Sequence, residues 1–156
     1  MNTTSENPEK TENPEKTDNP ENAASALTPA PTVWPTLQAR DAHALISFLV
    51  DVVGFTRTAV YADGDQVAHA ELGWPEGGGV MLGSHKPDAQ WSTPPGTAGI
   101  YVVTDHVDDL FARVKEAGAD ILREPTDQDY GSREFGLRDP EGNLWSFGTY
   151  RGAAAG

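Results

Sequence analysis

The sequence predicts an α+β fold built from two copies of a βαβββ module. Two observations carry this prediction. The order of one strand, one helix and three strands occurs twice along the chain, and the two predicted helices have matching ends. Asp41 lies 13 residues before Gly54, Asp105 lies 13 residues before Gly118, and the two intervals are 64 residues apart. An acidic residue before an apolar stripe and a glycine after it are typical helix ends, so the repeated order indicates an internal duplication.

The first 31 residues differ in composition from the rest of the chain. Residues 5–22 are three hexads, SENPEK, TENPEK and TDNPEN, without an apolar side chain that could join a core. Such polar, proline-rich segments bury too little surface to offset the entropy lost on ordering. We therefore expect residues 1–31 to form a disordered acidic tail, residues 32–151 to form the folded domain, and residues 152–156 to be a flexible C-terminus.

Module one is predicted over residues 33–84. Its first strand is VWPTLQAR, and a helix follows that Asp41 caps and Gly54 ends. Three predicted strands follow, FTRTAVYA, QVAHAELGW and GGVMLGS, and the turn sequences ADGD and PEGG separate them. The apolar stripe of the helix consists of Leu45, Ile46, Leu49 and Val53.

Module two is predicted over residues 98–150, after the proline-rich linker 85–97. GIYVVT is its first strand and VDDLFARVKEAG its helix. ADILRE, REFGLRD and NLWSFGTY follow as strands, and DPEGN is a tight turn between the last two.

The charge of the chain restricts its partners. It has 24 acidic and 11 basic side chains, a formal net charge of −13, of which −9 remains outside the hexads. This charge disfavours binding to nucleic acids or to anionic membranes. No cysteine is present, the N-terminus lacks the pattern of a signal peptide, and no apolar run is long enough for a membrane span. We expect a cytoplasmic protein whose partner is a small molecule.

The duplicated module and the ending YGSREFGLRDPEGNLWSFGTY resemble the vicinal-oxygen-chelate superfamily. This superfamily includes glyoxalase I, extradiol dioxygenases and bleomycin-resistance proteins, and the resemblance covers residues 33–150. It implies that the modules form a curved mixed sheet with the helices outside. It also implies that one sheet face of each module lines a ligand cleft, that the two halves complete one cavity, and that the chain forms a homodimer. A shared fold does not by itself determine the chemistry.

Enzymes of that family hold a divalent metal at four strand positions. The resemblance places those positions at Trp34, Gly99 and Ser146 and within residues 81–84, which read MLGS. None of these side chains is a strong ligand for Zn²⁺, Ni²⁺ or Fe²⁺. The sequence therefore predicts a protein without a metal cofactor, and a divalent-metal protein is the alternative.

Aromatic and polar side chains on the predicted strands are candidates for ligand contacts. Trp34, Thr36 and Gln38 share one side of the first strand, and Tyr101 of the fifth strand faces the same cleft by resemblance. Aromatic walls with a few polar anchors are typical of small-molecule pockets. The alternative is that these aromatic rings belong to the core. Trp91 of the linker either closes over the pocket or is an exposed side chain.

His69 and Glu71 are two residues apart on a strand and therefore share a face. We favour a role in which they form hydrogen bonds with a ligand or simply line the sheet. Alternatively they act as an acid/base pair, or they bind a metal together with His85.

The loop before the seventh strand borders the cleft by resemblance, and it contributes Tyr130 and Arg133 to the candidate site. Arg133 either binds a ligand carboxylate or phosphate, or bridges Glu134 or Asp129 and stabilises the turn. Ser146 completes the set of predicted ligand-binding residues.

Three hypotheses for the function follow, and whether the chain is an enzyme remains open between them. The favoured one is a metal-independent protein that sequesters a neutral or cationic aromatic ligand, as bleomycin-resistance proteins do. The second is a metal-dependent glyoxalase-type lyase or dioxygenase that uses His69 and Glu71. The third is a regulatory or interaction module that acts through its tail.

Overall fold

A computed structural model describes residues 29–156, in which two four-stranded sheets form the framework. The first sheet has the order β1-β4-β3-β2 and consists of β1 (Thr36–Ala39), β2 (Thr56–Asp63), β3 (Gln66–Gly73) and β4 (Gly79–Ser84). The second has the order β5-β8-β7-β6 and consists of β5 (Gly99–Val103), β6 (Asp120–Asp127), β7 (Arg133–Arg138) and β8 (Leu144–Gly148). The predicted disordered tail lies outside the described residues except for its last three positions.

The two sheets have the same topology. In each, the first strand pairs in parallel with the last, and the other neighbours are antiparallel. This repetition confirms the predicted duplicated α+β fold. Within the described residues, strand pairing stays inside each module, so the mixed sheet is divided into two four-stranded sheets.

The first helix agrees with its predicted ends. It consists of α1 (Ala42–Ser47) and a π-helical segment (Phe48–Val53). Asp41 caps it, because its Oδ1 accepts a hydrogen bond of 2.9 Å from the backbone N–H of Ala44. Gly54 ends it with a φ of 107°, a conformation that favours glycine. All four residues of the predicted stripe are buried.

The second helix, α2 (Val107–Glu116), begins differently from α1. Its N-cap residue is His106, whose side chain caps no backbone N–H. The prediction that Asp105 matches the acidic cap of α1 is therefore wrong. The Asp105 carboxylate instead binds Arg151 at 2.7 Å, while its backbone N–H donates to Glu76 at 2.9 Å.

Aromatic side chains join the two modules into one core. Phe55 and Trp74 come from module one, and Trp145 and Phe147 come from β8. Ring centroids are 5.0 Å apart for Phe55 and Trp74, 5.8 Å for Phe55 and Trp145, and 6.2 Å for Trp74 and Phe147. The indole N–H of Trp74 also donates to the backbone oxygen of Val103 at 2.9 Å. Residues 31–156 accordingly form one compact unit.

The predicted tight turn DPEGN is held by one buried carboxylate. Asp139 is 4% exposed and accepts hydrogen bonds of 2.9–3.0 Å from the backbone N–H groups of Glu141, Gly142 and Asn143. It also accepts from the amide side chain of Asn143 at 2.8 Å and from the indole N–H of Trp145 at 2.9 Å. The same carboxylate therefore fixes the turn and the position of a core ring.

We expect the substitution Asp139→Ala to lower the free energy of unfolding by about 3 kcal/mol, because several buried donors lose their acceptor together. Chemical denaturation followed by far-ultraviolet circular dichroism measures the change. Asp129→Ala, in an exposed loop, is the control and should change stability by less than about 0.5 kcal/mol. Equal effects of the two substitutions would contradict the role of Asp139.

Candidate ligand-binding site

Each sheet has one face that packs in the core and one face that the helices leave uncovered. Along β1, for example, Leu37 and Ala39 are buried, while Thr36 and Gln38 point to the opposite side and are partly or fully exposed. We name the uncovered sides the open faces. The open face of module one carries Trp34, Thr36, Gln38, His69, Glu71, Gly79, Met81 and Gly83. The open face of module two carries Gly99, Tyr101, Arg123, Glu134, Gly136, Ser146 and Gly148.

The open face of module one contains a cavity of about 260 Å³, which three predicted site residues line: Thr36, Gln38 and His69. Gln38 holds the linker over this cavity. Its Nε2 donates to the backbone oxygen of Trp91 at 2.9 Å, and its Oε1 lies 2.7 Å from Nδ1 of His85. Trp91 is one of the residues that line the cavity, and it is 78% exposed.

His69 and Glu71 form a pair beside this cavity. Nε2 of His69 lies 3.0 Å from Oε1 of Glu71, and the Tyr61 ring stacks on the imidazole with a centroid distance of 6.3 Å. Both side chains remain about one-third to two-fifths exposed. Within residues 29–156 no three His, Asp or Glu side chains come close enough to hold a metal ion. The alternative metal site at His69 therefore lacks a third ligand in this part of the chain, since His85 bonds Gln38 instead.

The residues at the family's metal positions do not fit a divalent cation. The Trp34 ring packs over Gly79 so closely that a Cβ atom on Gly79 would lie 2.6 Å from it, and its indole N–H donates to Pro31. Gly99 offers no side chain, and Oγ of Ser146 lies 3.5 Å from the Arg123 guanidinium. None of these groups supplies the imidazole or carboxylate that such a site needs. No catalytic step through a metal follows from this geometry.

The open face of module two contains a cavity of about 560 Å³ lined by Tyr101, Tyr130, Glu134 and Tyr150. The phenol of Tyr101 donates to the backbone oxygen of Tyr150 at 2.9 Å, and the phenol of Tyr130 donates to Oε1 of Glu134 at 2.8 Å. The Glu134 side chain is only 7% exposed and also binds Arg123 at 3.2 Å. The cavity thus combines three half-exposed tyrosine rings with one buried carboxylate.

Glu134, Tyr150 and Arg123 were not predicted as site residues. Strand alternation in REFGLR contained a signal for the first of them, since Phe135 and Leu137 are the apolar positions and Glu134 must face away from them. Arg123 gave no such signal because the pairing of β6 with β7 is irregular around it. Tyr150 lies beyond the end of β8.

Arg133 lies on the core side of β7, away from Tyr101 and Tyr130. Its guanidinium binds Asp108 of α2 at 2.8 Å and Asp127 of β6 at 3.1 Å. The hydrogen bond from Arg133 lowers the pKa of Asp108. Arg133 therefore links a helix to a strand, with partners other than the two that the sequence suggested.

Gly148 leaves room for the cavity's polar groups. A Cβ atom on Gly148 would lie 2.6 Å from both the Glu134 Cγ atom and the Tyr101 hydroxyl, whereas a Cβ atom on Gly99 of the same open face would meet nothing within 4 Å.

We expect Gly148→Ala to destabilise the protein by about 1–3 kcal/mol through overpacking, and Gly99→Ala to change stability by less than about 0.5 kcal/mol. Thermal denaturation of both variants tests the close approach, which a harmless Gly148→Ala substitution would disprove.

The hydrogen bond to Glu134 raises the pKa of Tyr130, and burial and the negative charge of Glu134 act in the same direction. The unfolded chain releases this proton first, near pH 10. We therefore expect the free energy of unfolding to decline as the pH rises above about 10 and through the raised pKa of Tyr130.

Ultraviolet titration of phenolate absorbance measures this pKa. The titration curve of the Tyr130→Phe variant is subtracted from that of the unsubstituted protein, which isolates the absorbance of the Tyr130 phenol. Glu134→Gln removes the charge and keeps an acceptor, so it should return the titration towards pH 10. An identical titration in both proteins would show that Glu134 does not control Tyr130.

Comparison with known proteins agrees with this architecture. The sequence profile of the Glyoxalase/Bleomycin resistance protein/Dioxygenase superfamily matches residues 32–147. A search of curated proteins finds no match. Neither helix in residues 29–156 has the length and apolar character needed to span a membrane, and the cytoplasmic location stays a prediction.

Several solved structures share the fold. TioX from Micromonospora sp. ML1 is 30% identical with a TM-score of 0.62, and the match covers 74% of this chain and 97% of TioX. TnmS3, an antibiotic binding protein from Streptomyces sp. CB03234, is 22% identical with a TM-score of 0.61, covering 77% and 97% of the two chains. A superfamily member from Sphaerobacter thermophilus is 21% identical with a TM-score of 0.61, covering 76% and 96%. The chain thus belongs to the glyoxalase/bleomycin resistance protein/dioxygenase superfamily.

Proposed function

We propose that this protein binds an aromatic small molecule on its open faces and does so without a metal ion. The observation that carries this proposal is that each open face has a cavity that combines aromatic rings with a few hydrogen-bonding groups. Small-molecule sites have this composition, in which rings supply contact area and polar groups fix the orientation. The residues at the family's metal positions supply neither an imidazole nor a carboxylate. This supports the proposal that binding needs no metal ion.

We take the proposed class of ligand from the bleomycin-resistance branch of the superfamily. TnmS3, which shares the fold, is an antibiotic binding protein, and we extend ligand sequestration from such proteins to this chain as a proposal. A neutral or cationic aromatic ligand suits a chain with a net charge of −13. Tryptophan and tyrosine rings on the open faces provide the surfaces for stacking.

The ligand site includes a second copy of the chain in this proposal. Residues of module one and of the linker line one cavity, and residues of module two line the other. In a twofold dimer the open face of module one can lie against the open face of module two of the partner, which encloses a ligand between them. Sedimentation or light scattering should then give a mass of twice 16.7 kDa, and a strictly monomeric protein that binds ligand would remove the dimer from the proposal.

Ligand binding is tested by quenching of tryptophan fluorescence. Quinoxaline, a neutral planar probe, and a panel of aromatic antibiotics are titrated into the full chain with and without EDTA. We expect saturable binding of at least one compound and the same affinity in EDTA. Loss of binding in EDTA, or stoichiometric metal in the purified protein, would contradict metal independence.

Tyr101→Ala should weaken the binding of that compound about tenfold, because the loss of one stacking partner costs on the order of 1.4 kcal/mol. The matched control is His106→Ala, which removes an exposed ring at the start of α2 and away from both cavities. Equal affinities of the two variants would show that the ligand lies elsewhere.

The alternative, a metal-dependent lyase or dioxygenase, rests on the 3.0 Å contact between His69 and Glu71 alone, because the described residues bring no third ligand to this pair. It requires that His69→Ala abolish both metal occupancy and turnover. A variant that keeps both would exclude this candidate.

A further inference from the structure

The lining of the cavity on the open face of module two is aromatic and acidic, in contrast to a pocket lined by aliphatic side chains. Its four lining residues are three tyrosines and one glutamate, around a volume of about 560 Å³. Tyr101, Tyr130 and Tyr150 are 42%, 56% and 43% exposed, so their rings are accessible to a ligand. The π-face of a tyrosine ring carries negative electrostatic potential and attracts organic cations.

The three rings are already fixed in place. The phenol of Tyr101 is hydrogen-bonded to the backbone of Tyr150, and the phenol of Tyr130 is hydrogen-bonded to Glu134. Tyr130 and Tyr150 also meet edge to face, with centroids 5.9 Å apart and an interplanar angle of 74°. Side chains held in this way lose little further freedom when a ligand binds.

Glu134 supplies the negative charge of the cavity. Its side chain is 7% exposed, yet its resident counter-ion Arg123 is 46% exposed and contacts it through one nitrogen at 3.2 Å. A buried carboxylate needs a compensating positive charge. A guanidinium that is half in solvent, on a flexible side chain, can give up that contact to a cation that enters the cavity.

We propose that Tyr101, Tyr130, Tyr150 and Glu134 form a recognition site for an ammonium group, either quaternary or a protonated tertiary amine, on the bound ligand. This inference rests on the proposed ligand-binding function and specifies one chemical group of the ligand. The rings contact the alkyl substituents of the ammonium group, and Glu134 pairs with its charge. Arg123 acts as the resident counter-ion that the ligand replaces.

Choline and its uncharged isostere 3,3-dimethylbutan-1-ol are the probes that test the inference. Nuclear magnetic resonance of the tyrosine rings in the full chain follows their binding. We expect choline to shift the ring resonances of Tyr101, Tyr130 and Tyr150 saturably, and the neutral isostere to bind at least about tenfold more weakly because it lacks the charge.

Two substitutions give opposite expected effects. Glu134→Gln keeps the acceptor for Tyr130 and removes the charge, so it should weaken choline binding about tenfold. Arg123→Gln removes the competing counter-ion, so it should strengthen choline binding by several-fold. Asp129→Asn, which removes one exposed charge from the loop next to Tyr130, is the matched control and should change the affinity less than twofold.

Equal binding of choline and its neutral isostere would overturn the inference, and so would unchanged affinity in Glu134→Gln or weaker binding in Arg123→Gln. Quinoxaline and the antibiotic panel, titrated in the same samples, separate this failure from failure of the proposed function. If one of those compounds binds and choline does not, only the ammonium site is wrong. If none of them binds, the proposed function is wrong as well.

Discussion

The aromatic contacts between the modules are the constraint on which the rest of the structure depends. Each module has only about fifty residues, and chains of that size bury a small share of their surface and are only marginally stable alone. Phe55 and Trp74 of module one pack against Trp145 and Phe147 of module two, and the Trp74 indole bonds the β5 backbone. Because stability comes from this shared core, each sheet needs to bury only one of its faces. The other face is left for ligands.

Glycines determine which side chains occupy the open faces. Trp34 can lie across β4 because Gly79 has no Cβ atom, and Tyr101 and Glu134 can approach β8 because Gly148 has none. A larger residue at either position would push an aromatic ring away from the sheet. The shape of the candidate site is therefore set by missing side chains as well as by those that line it.

Two buried carboxylates near β8 illustrate how surroundings separate a structural from a functional group. Asp139 accepts five hydrogen bonds from within its own turn and from Trp145, so no acceptor capacity is left for a ligand. Glu134 is buried to a similar extent but depends on one phenol and one half-exposed guanidinium. Only the second can exchange a partner without disturbing the fold.

Local patterns in the sequence determined the duplicated module, the ends of α1 and the DPEGN turn. They also determined the open-face positions of Gln38, His69 and Tyr101, because strand alternation and helix periodicity are local properties of the chain. The start of α2 was not among them, since Arg151 and Glu76, both distant in sequence, bind Asp105. Only the tertiary structure decided that Arg133 joins α2 to β6 and that His85 bonds Gln38. It also decided that Tyr150 lines the cavity beside Glu134 and that Arg123 binds Glu134. Such contacts depend on how strands and loops distant in sequence pack together. The sequence of a single strand does not specify which distant segments will contact it.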